Sequence, residues 1–271
     1  MTGPRLAAVG VLTGWGDGVS ALPPDARRAA GSRRVVPLAA PALPGERFRR
    51  ATRECLLGVG GIDAMLRDGG LDRQAIAGPR TALVYVTAAA YGGSNRAFVA
   101  AAGGGATLHF PYTAPSAVPA EVAIECGLTG AYVILLGGAA ATVDGLWQAG
   151  MLVARGQCDR ALVLAVETFA ECEDLYARGR WLARGPLVEA AACALVVGSA
   201  AMPTMGPASE AASLEALVER RAGVTLACGP LIALALARAA GEPVARVTGC
   251  WRGRRAAIDV AVGAPDAAPA A

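Results

Sequence analysis

The chain has 271 residues, 54% of them hydrophobic and 17% charged, which supplies material for a substantial core and excludes a disordered polar chain. Its formal net charge is only +3, which excludes the strongly basic surface of a nucleic-acid-binding protein. All 25 basic residues are arginine, read here as a compositional bias of the source rather than selection for guanidinium chemistry.

Leu6–Gly10 reads as a strand, followed by the glycine-rich turn Thr13-Gly-Trp-Gly-Asp-Gly18. Residues 21–47, rich in proline and arginine, read as irregular. From Arg49 to Arg67 the spacing predicts a helix with Ala51, Cys55, Leu56, Val59, Ile62 and Leu66 on one face. Thr81–Thr87 is a continuous apolar strand of a sheet covered on both sides. A short helix over 94–102, a loop with three prolines over 103–120 and a helical turn or two over 121–126 follow. Tyr132–Leu136 reads as a second buried strand, and Ala139–Arg155 as a helix of small residues. Arg160–Val166 and Ala191–Val197 are the third and fourth strands, with a charged loop over 171–184 between them. A Pro/Gly/Ser linker spans 203–213, with a helix near 229–240, strands near 244–248 and 256–262, and a frayed tail from Ala264.

Strands alternating with helices imply a layered α/β fold. Residues 129–143 are uncharged, but Gly137-Gly138 interrupt the apolar stretch and Asp144 follows it, so a buried strand and helix explain it better than a membrane span. The opening residues lack a basic-then-apolar leader pattern. The seven cysteines, at 55, 126, 158, 172, 193, 228 and 250, form no CxxC pair, which fits reduced buried thiols in a cytoplasmic protein.

Four segments carry a family resemblance. Val9–Val19 looks like an opening strand and turn. Phe110–Gly130 looks like the approach to an active-site strand. Residues 130–166 look like a strand, nucleophile elbow, helix and following strand. Val247–Ala257 stands where a glycine-rich loop is expected near the C-terminus. Together they resemble the β-ketoacyl synthases, condensing enzymes of fatty-acid and polyketide synthesis with the thiolase-like layered fold. The resemblance runs from residue 6 to about 200 and implies helices sandwiched between sheets. It also implies a single domain over 1–271, with an N-terminal half at 1–200, a compressed C-terminal half at 201–263 and a tail at 264–271.

The departures matter most. Counting back from Gly156 of the Arg-Gly-Gln-Cys-Asp turn, the family's nucleophilic cysteine falls at position 139, where Ala139 stands. No cysteine lies between 126 and 158, so no shift of alignment restores it. The family's two active-site histidines belong to its C-terminal half, whereas the single histidine here, His109, lies upstream of the elbow. The family's oxyanion hole uses backbone N–H groups, which maps the acyl-pocket or oxyanion-loop candidates to Gly138, Ala139, Ala140, Arg252 and Gly253. Arg178, Arg180, Arg184, Arg254 and Arg255 are candidate contacts for an acidic acyl carrier protein, set against ordinary surface charge.

Other motifs weigh less. Gly14-Trp-Gly-Asp-Gly18 lacks the lysine and ribose-binding acid of a nucleotide loop. His109, between Leu108 and Phe110, reads as a structural histidine before a general base, and no G-x-S-x-G elbow is present. Glu167, Glu171, Glu173 and Asp174 read as a solvated loop, not a metal site. The resemblance therefore implies a non-catalytic subunit, akin to a divergent chain-length factor. It would pair with an active ketosynthase as a heterodimer, or with itself, without cofactor, metal or nucleic acid. The alternatives are an acyl-thioester transferase or hydrolase using other residues, and an acyl-binding scaffold.

Overall fold

The computed structural model describes residues 4–49, 51–101, 110–174, 185–198, 205 and 212–263. Its strands are β1 (Arg5–Thr13), β2 (Gly16–Asp17), β3 (Val35–Val36), β4 (Thr81–Thr87), β5 (Tyr132–Leu136), β6 (Arg160–Glu167), β7 (Leu187–Val188), β8 (Ala190–Val197), β9 (Val244–Trp251) and β10 (Arg254–Ala261). The helices are α1 (Ala26–Ala30), α2 (Arg53–Gly69), α3 (Gly92–Ala100), α4 (Ala117–Cys126), α5 (Ala139–Ala154), α6 (Ala212–Ala222) and α7 (Gly229–Ala239). The main sheet runs β5-β4-β6-β8-β1-β10-β9, and β2 folds back on β1. β4 is parallel to β5 and β6, whereas β8 is antiparallel to both β6 and β1. β10 joins β1 through one parallel pair, Arg5 with Ala261, and is otherwise the antiparallel partner of β9.

Side-chain size sorts the two faces of this sheet. Leu83, Tyr85, Leu162 and Leu164 pack with α2 and α4. Val84, Val86, Ala161, Val163 and Ala165 meet α5 on the other side. A helix can lie close to such a small-residue face: a Cβ at Gly145 of α5 would sit 3.2 Å from Val84 and 3.3 Å from Val86. The opposite side of α5 packs on β9 and β10, and α7 lies beside it between β1 and β9. The sheet therefore turns over at the β1–β10 junction, and α5 and α7 form a helical layer between the central strands and the β9–β10 hairpin. The helix between two sheet layers expected from the sequence is present.

Several expectations change. α2 begins at Arg53, capped by Thr52 in extended geometry, and buries Leu57 and Met65, leaving Leu56 half-buried. α4 is longer than one or two turns, because Pro119 sits in its first turn, where no intrahelical N–H is required. β5 is no buried strand: it is the edge of the sheet, with Tyr132 64% and Leu136 59% exposed. The helix α6, beyond the expected linker, is an addition to the elements expected from the sequence; its first turn carries Glu215 and its last Arg220 and Arg221. Among the described residues no helix is long and apolar enough to cross a membrane.

Candidate functional site

The elbow forms at the carboxyl end of β5, where ligands of open α/β sheets collect. Gly137 N–H donates to Thr87 O at 2.9 Å, holding the turn to the neighbouring strand. Gly138 (φ −88°, ψ −148°) is the N-cap, and α5 starts at Ala139. The N–H groups of a first helical turn have no intrahelical acceptor and face outward as a partial positive charge. Ala139 offers only a methyl group there.

The C-terminal hairpin closes over this turn. A Cβ placed on Gly249 of β9 would lie 2.3 Å from both C and O of Ala139, so β9 rests backbone-to-backbone on the start of α5. Two residues on, the Trp251 indole lies against Gly138, where an added Cβ would be 2.3 Å from its Cε3. Strand alternation puts Gly249 and Trp251 on one face of β9 and Cys250 on the other, so the Cys250 thiol does not substitute for a missing one at 139. Arg254 clamps the hairpin from outside, its guanidinium paired with both oxygens of Asp144 on α5, one contact at 2.7 Å.

Gly138, Ala139 and Ala140 thus meet at one point, with Gly138 and Ala140 buried. Arg252 (φ 50°) and Gly253 (φ 82°) form the exposed two-residue turn of the hairpin, both in the left-handed region that tight hairpins demand. The Arg252 guanidinium stands 5.7 Å from the Trp251 ring centroid, and Arg255 is exposed on β10. His109, Arg178, Arg180 and Arg184 lie outside the described residues.

The remaining thiols are poor nucleophiles. Burial pushes Cys55 up to about 12 and Cys126 up to about 11, and raises Cys193 and Cys228 well above the usual thiol range. Among the described residues no group of three or more His, Cys, Asp or Glu side chains could hold a metal ion.

Two buried carboxylates, unlike the solvated loop expected around 167–174, knit the carboxyl ends of the strands together. Glu167 is fully buried at the end of β6. It accepts from Ala88 N at 2.8 Å, Ala89 N at 2.9 Å and Ala227 N at 3.1 Å. Burial pushes this carboxyl up to about 8, against the pull of those N–H donors. Ala227 in turn accepts from Thr142 Oγ1 of α5 at 2.6 Å, so the 226–228 turn links Glu167 to the elbow helix. Glu189, also fully buried, accepts from the N–H groups of Leu38, Phe169 and Ala170, each at 2.7 Å, and pairs with Arg53. Glu171 and Asp174 are exposed and paired with Arg53 and Arg96. A lone acid flanking an uncharged run, as in Pro186-Leu-Val-Glu-Ala-Ala-Ala192, was the available signal for Glu189.

Among the described residues, two cavities lie away from the elbow. One, about 200 Å³, lies between α2 and α3, where Ser94 donates to Glu54, whose carboxyl is raised by burial. A groove of about 520 Å³ runs along β1 between the ends of α2 and α7, with the pairs Arg67–Asp17 (2.6 Å) and Arg238–Asp68 (3.8 Å) in its walls. Neither is lined by a residue of the elbow.

Layer order, sheet topology and the strand–glycine–helix elbow define a thiolase-like protein of the condensing-enzyme type. Residues 40–186, more than half of the chain, match the family model of the β-ketoacyl synthase N-terminal domain, and the chain belongs to that family. Three solved structures show the same fold. The ishigamide ketosynthase/chain length factor is 15% identical with a TM-score of 0.68, covering 95% of this chain and 98% of that one. A β-ketoacyl synthase from Burkholderia phymatum is 14% identical with a TM-score of 0.69, covering 96% and 99%. The ketosynthase ApeO in complex with its chain length factor ApeC, from Xenorhabdus doucetiae, is 14% identical with a TM-score of 0.64, covering 96% and 99%. No curated protein matches the chain.

Proposed function

We propose that this chain is a non-catalytic ketosynthase-like subunit, one domain throughout, that pairs with an active β-ketoacyl synthase in polyketide or fatty-acid biosynthesis and supports that partner's acyl tunnel. The observation that carries the reading is Ala139 at the first position of α5, in the elbow where the family presents its thiolate. A methyl group there cannot attack a thioester, and the sequence has one histidine where the family's chemistry takes two. Catalysis would have to come from another chain.

The partner face we assign is the edge of β5, which has no strand beside it among the described residues other than β4. Tyr132 and Leu136 are exposed along a strand with no charged residue, and an unpaired apolar edge is a template for a strand of a second protein. Solved relatives that are ketosynthase–chain length factor complexes support a partner of the same fold. Carrier-protein contact through Arg254 and Arg255 is a secondary part of the proposal, with Arg254 already sharing its charge with Asp144.

Tagged full-length chain, purified gently from its host and analysed by mass spectrometry, tests the proposal. Stoichiometric recovery of a ketosynthase that retains its cysteine and histidines is the expected result. Recovery as a homodimer alone overturns it.

A further inference from the structure

Trp251 stands at the end of β9 with its ring on the elbow. An added Cβ at Gly138 would meet Cε3 at 2.3 Å, Cδ2 at 2.7 Å and Cζ3 at 3.0 Å, and the ring's pyrrole edge comes within 4.0 Å of the same position on Gly137. At Gly138 the ring thus leaves no room for even one methyl group; at Gly137 the ring stands at ordinary contact distance, and the Ala141 methyl, 2.9 Å away, is what an added Cβ would meet first. The hairpin that carries the indole is fixed at three points: Gly249 on the backbone of Ala139, Arg254 on Asp144, and the cross-strand pairing of β9 with β10.

We infer that Trp251 is a built-in plug that fills the acyl site of this chain's own elbow, so that the subunit takes no acyl group there. This rests on reading the start of α5 as the family's nucleophile turn. It deepens the proposed role: any effect on acyl length is exerted across the subunit interface, not inside this chain. Removal of the indole leaves an apolar hollow lined by Gly137, Gly138 and Ala141, of a kind that takes up small flat apolar molecules.

The test compares Ala139→Cys with the double variant Ala139→Cys/Trp251→Ala, as isolated full-length chains. Iodoacetamide is the probe; the introduced thiol loses its proton to solvent, its sulfur forms the new C–S bond, and iodide leaves. Peptide mass spectrometry follows labelling at position 139 against the buried Cys193 and Cys228 as internal standards. Slow labelling in the single variant and an increase of about tenfold or more in the double variant are expected, since access to a shielded thiol limits its reaction. Free indole added to the double variant should refill the hollow and slow labelling again. Equal rates in the two variants, or no protection by indole, overturn the inference. Should the alanine variant fail to fold, Trp251→Leu, which keeps apolar contact with less bulk, gives the same comparison. No partner is present in this assay, so its failure is distinguishable from failure of the pairing proposal.

Discussion

Glu167 couples the site to pH. Its carboxyl is pushed from 4.5 up to about 8 by burial in the folded chain, and it returns to its ordinary value when the chain unfolds. Between those two values the folded state holds a proton that the unfolded state has released. The stabilisation is therefore complete below the unfolded pKa and is lost as pH rises towards the folded one, at up to about 1.4 kcal/mol per pH unit. Urea unfolding midpoints should fall between about pH 5 and 8. Glu167→Gln, which cannot ionise, should flatten that trend; parallel curves for the two proteins would sink the assignment. This residue also marks where the sequence stops being legible. The elbow can be read because a glycine pair and a small-residue helix follow one another directly. Glu167 reads like its exposed neighbours Glu171 and Asp174, because what buries it includes Ala227, sixty residues away. Trp251 is visible as an aromatic in a loop, but its seat on Gly138 depends on the hairpin folding back over α5.

At the level of elements, the docking of the β9–β10 hairpin on α5 depends on one glycine. Gly249→Ala would drive a methyl to 2.3 Å from Ala139 C and O, both backbone atoms that cannot rotate aside. The hairpin must lift, and we expect a loss on the order of 1–3 kcal/mol, the usual range for overpacking. Gly253→Ala, at φ 82° in the exposed turn with nothing near its Cβ, should cost only about 1 kcal/mol through backbone strain. Thermal melts of the two variants check the ranking, and a Gly249→Ala protein as stable as the parent would contradict the packing described. Most elements here are legible from periodicity, which gives β4 its observed limits and α5 to within a residue. Strand order is not. Tyr132–Leu136 is as apolar as β4, and an apolar run does not say whether its strand is central or at an edge. Exposure of Tyr132 and Leu136 follows from β5 having, among the described residues, β4 alone beside it. Leu136→Arg should leave the melting temperature of the isolated chain within a degree or so, as surface substitutions do. It should abolish co-purification with a ketosynthase, and retained co-purification would remove β5 from the proposed interface.

For the molecule as a whole, the proposed non-catalytic role rests on two separate departures, Ala139 at the start of α5 and a single histidine in the sequence, and experiment can separate a lapsed enzyme from a subunit whose work lies elsewhere. Restoring the nucleophile alone tests the difference. A cysteine at 139 would sit at the start of a 16-residue helix, where the dipole and free N–H groups favour a thiolate. Alkylation and self-acylation depend on that thiolate and on access to it. Condensation requires more, because a carbanion has to be formed and stabilised by groups that the family supplies from two histidines, and this sequence has His109 alone. The double variant Ala139→Cys/Trp251→Ala should therefore become reactive towards iodoacetamide yet release no carbon dioxide from a malonyl thioester and form no β-ketoacyl product. General acid–base groups contribute on the order of 10²–10⁴-fold each, so their loss cannot be offset by a better-placed sulfur. Mass spectrometry of acyl products and a radiolabelled decarboxylation assay read the two steps separately. Turnover in the double variant would mean that other groups of this fold perform the acid–base work, and would overturn the proposed non-catalytic role. Labelling without turnover is the outcome the proposed role expects: a reactive sulfur at 139 without the second histidine that the family's acid–base chemistry takes.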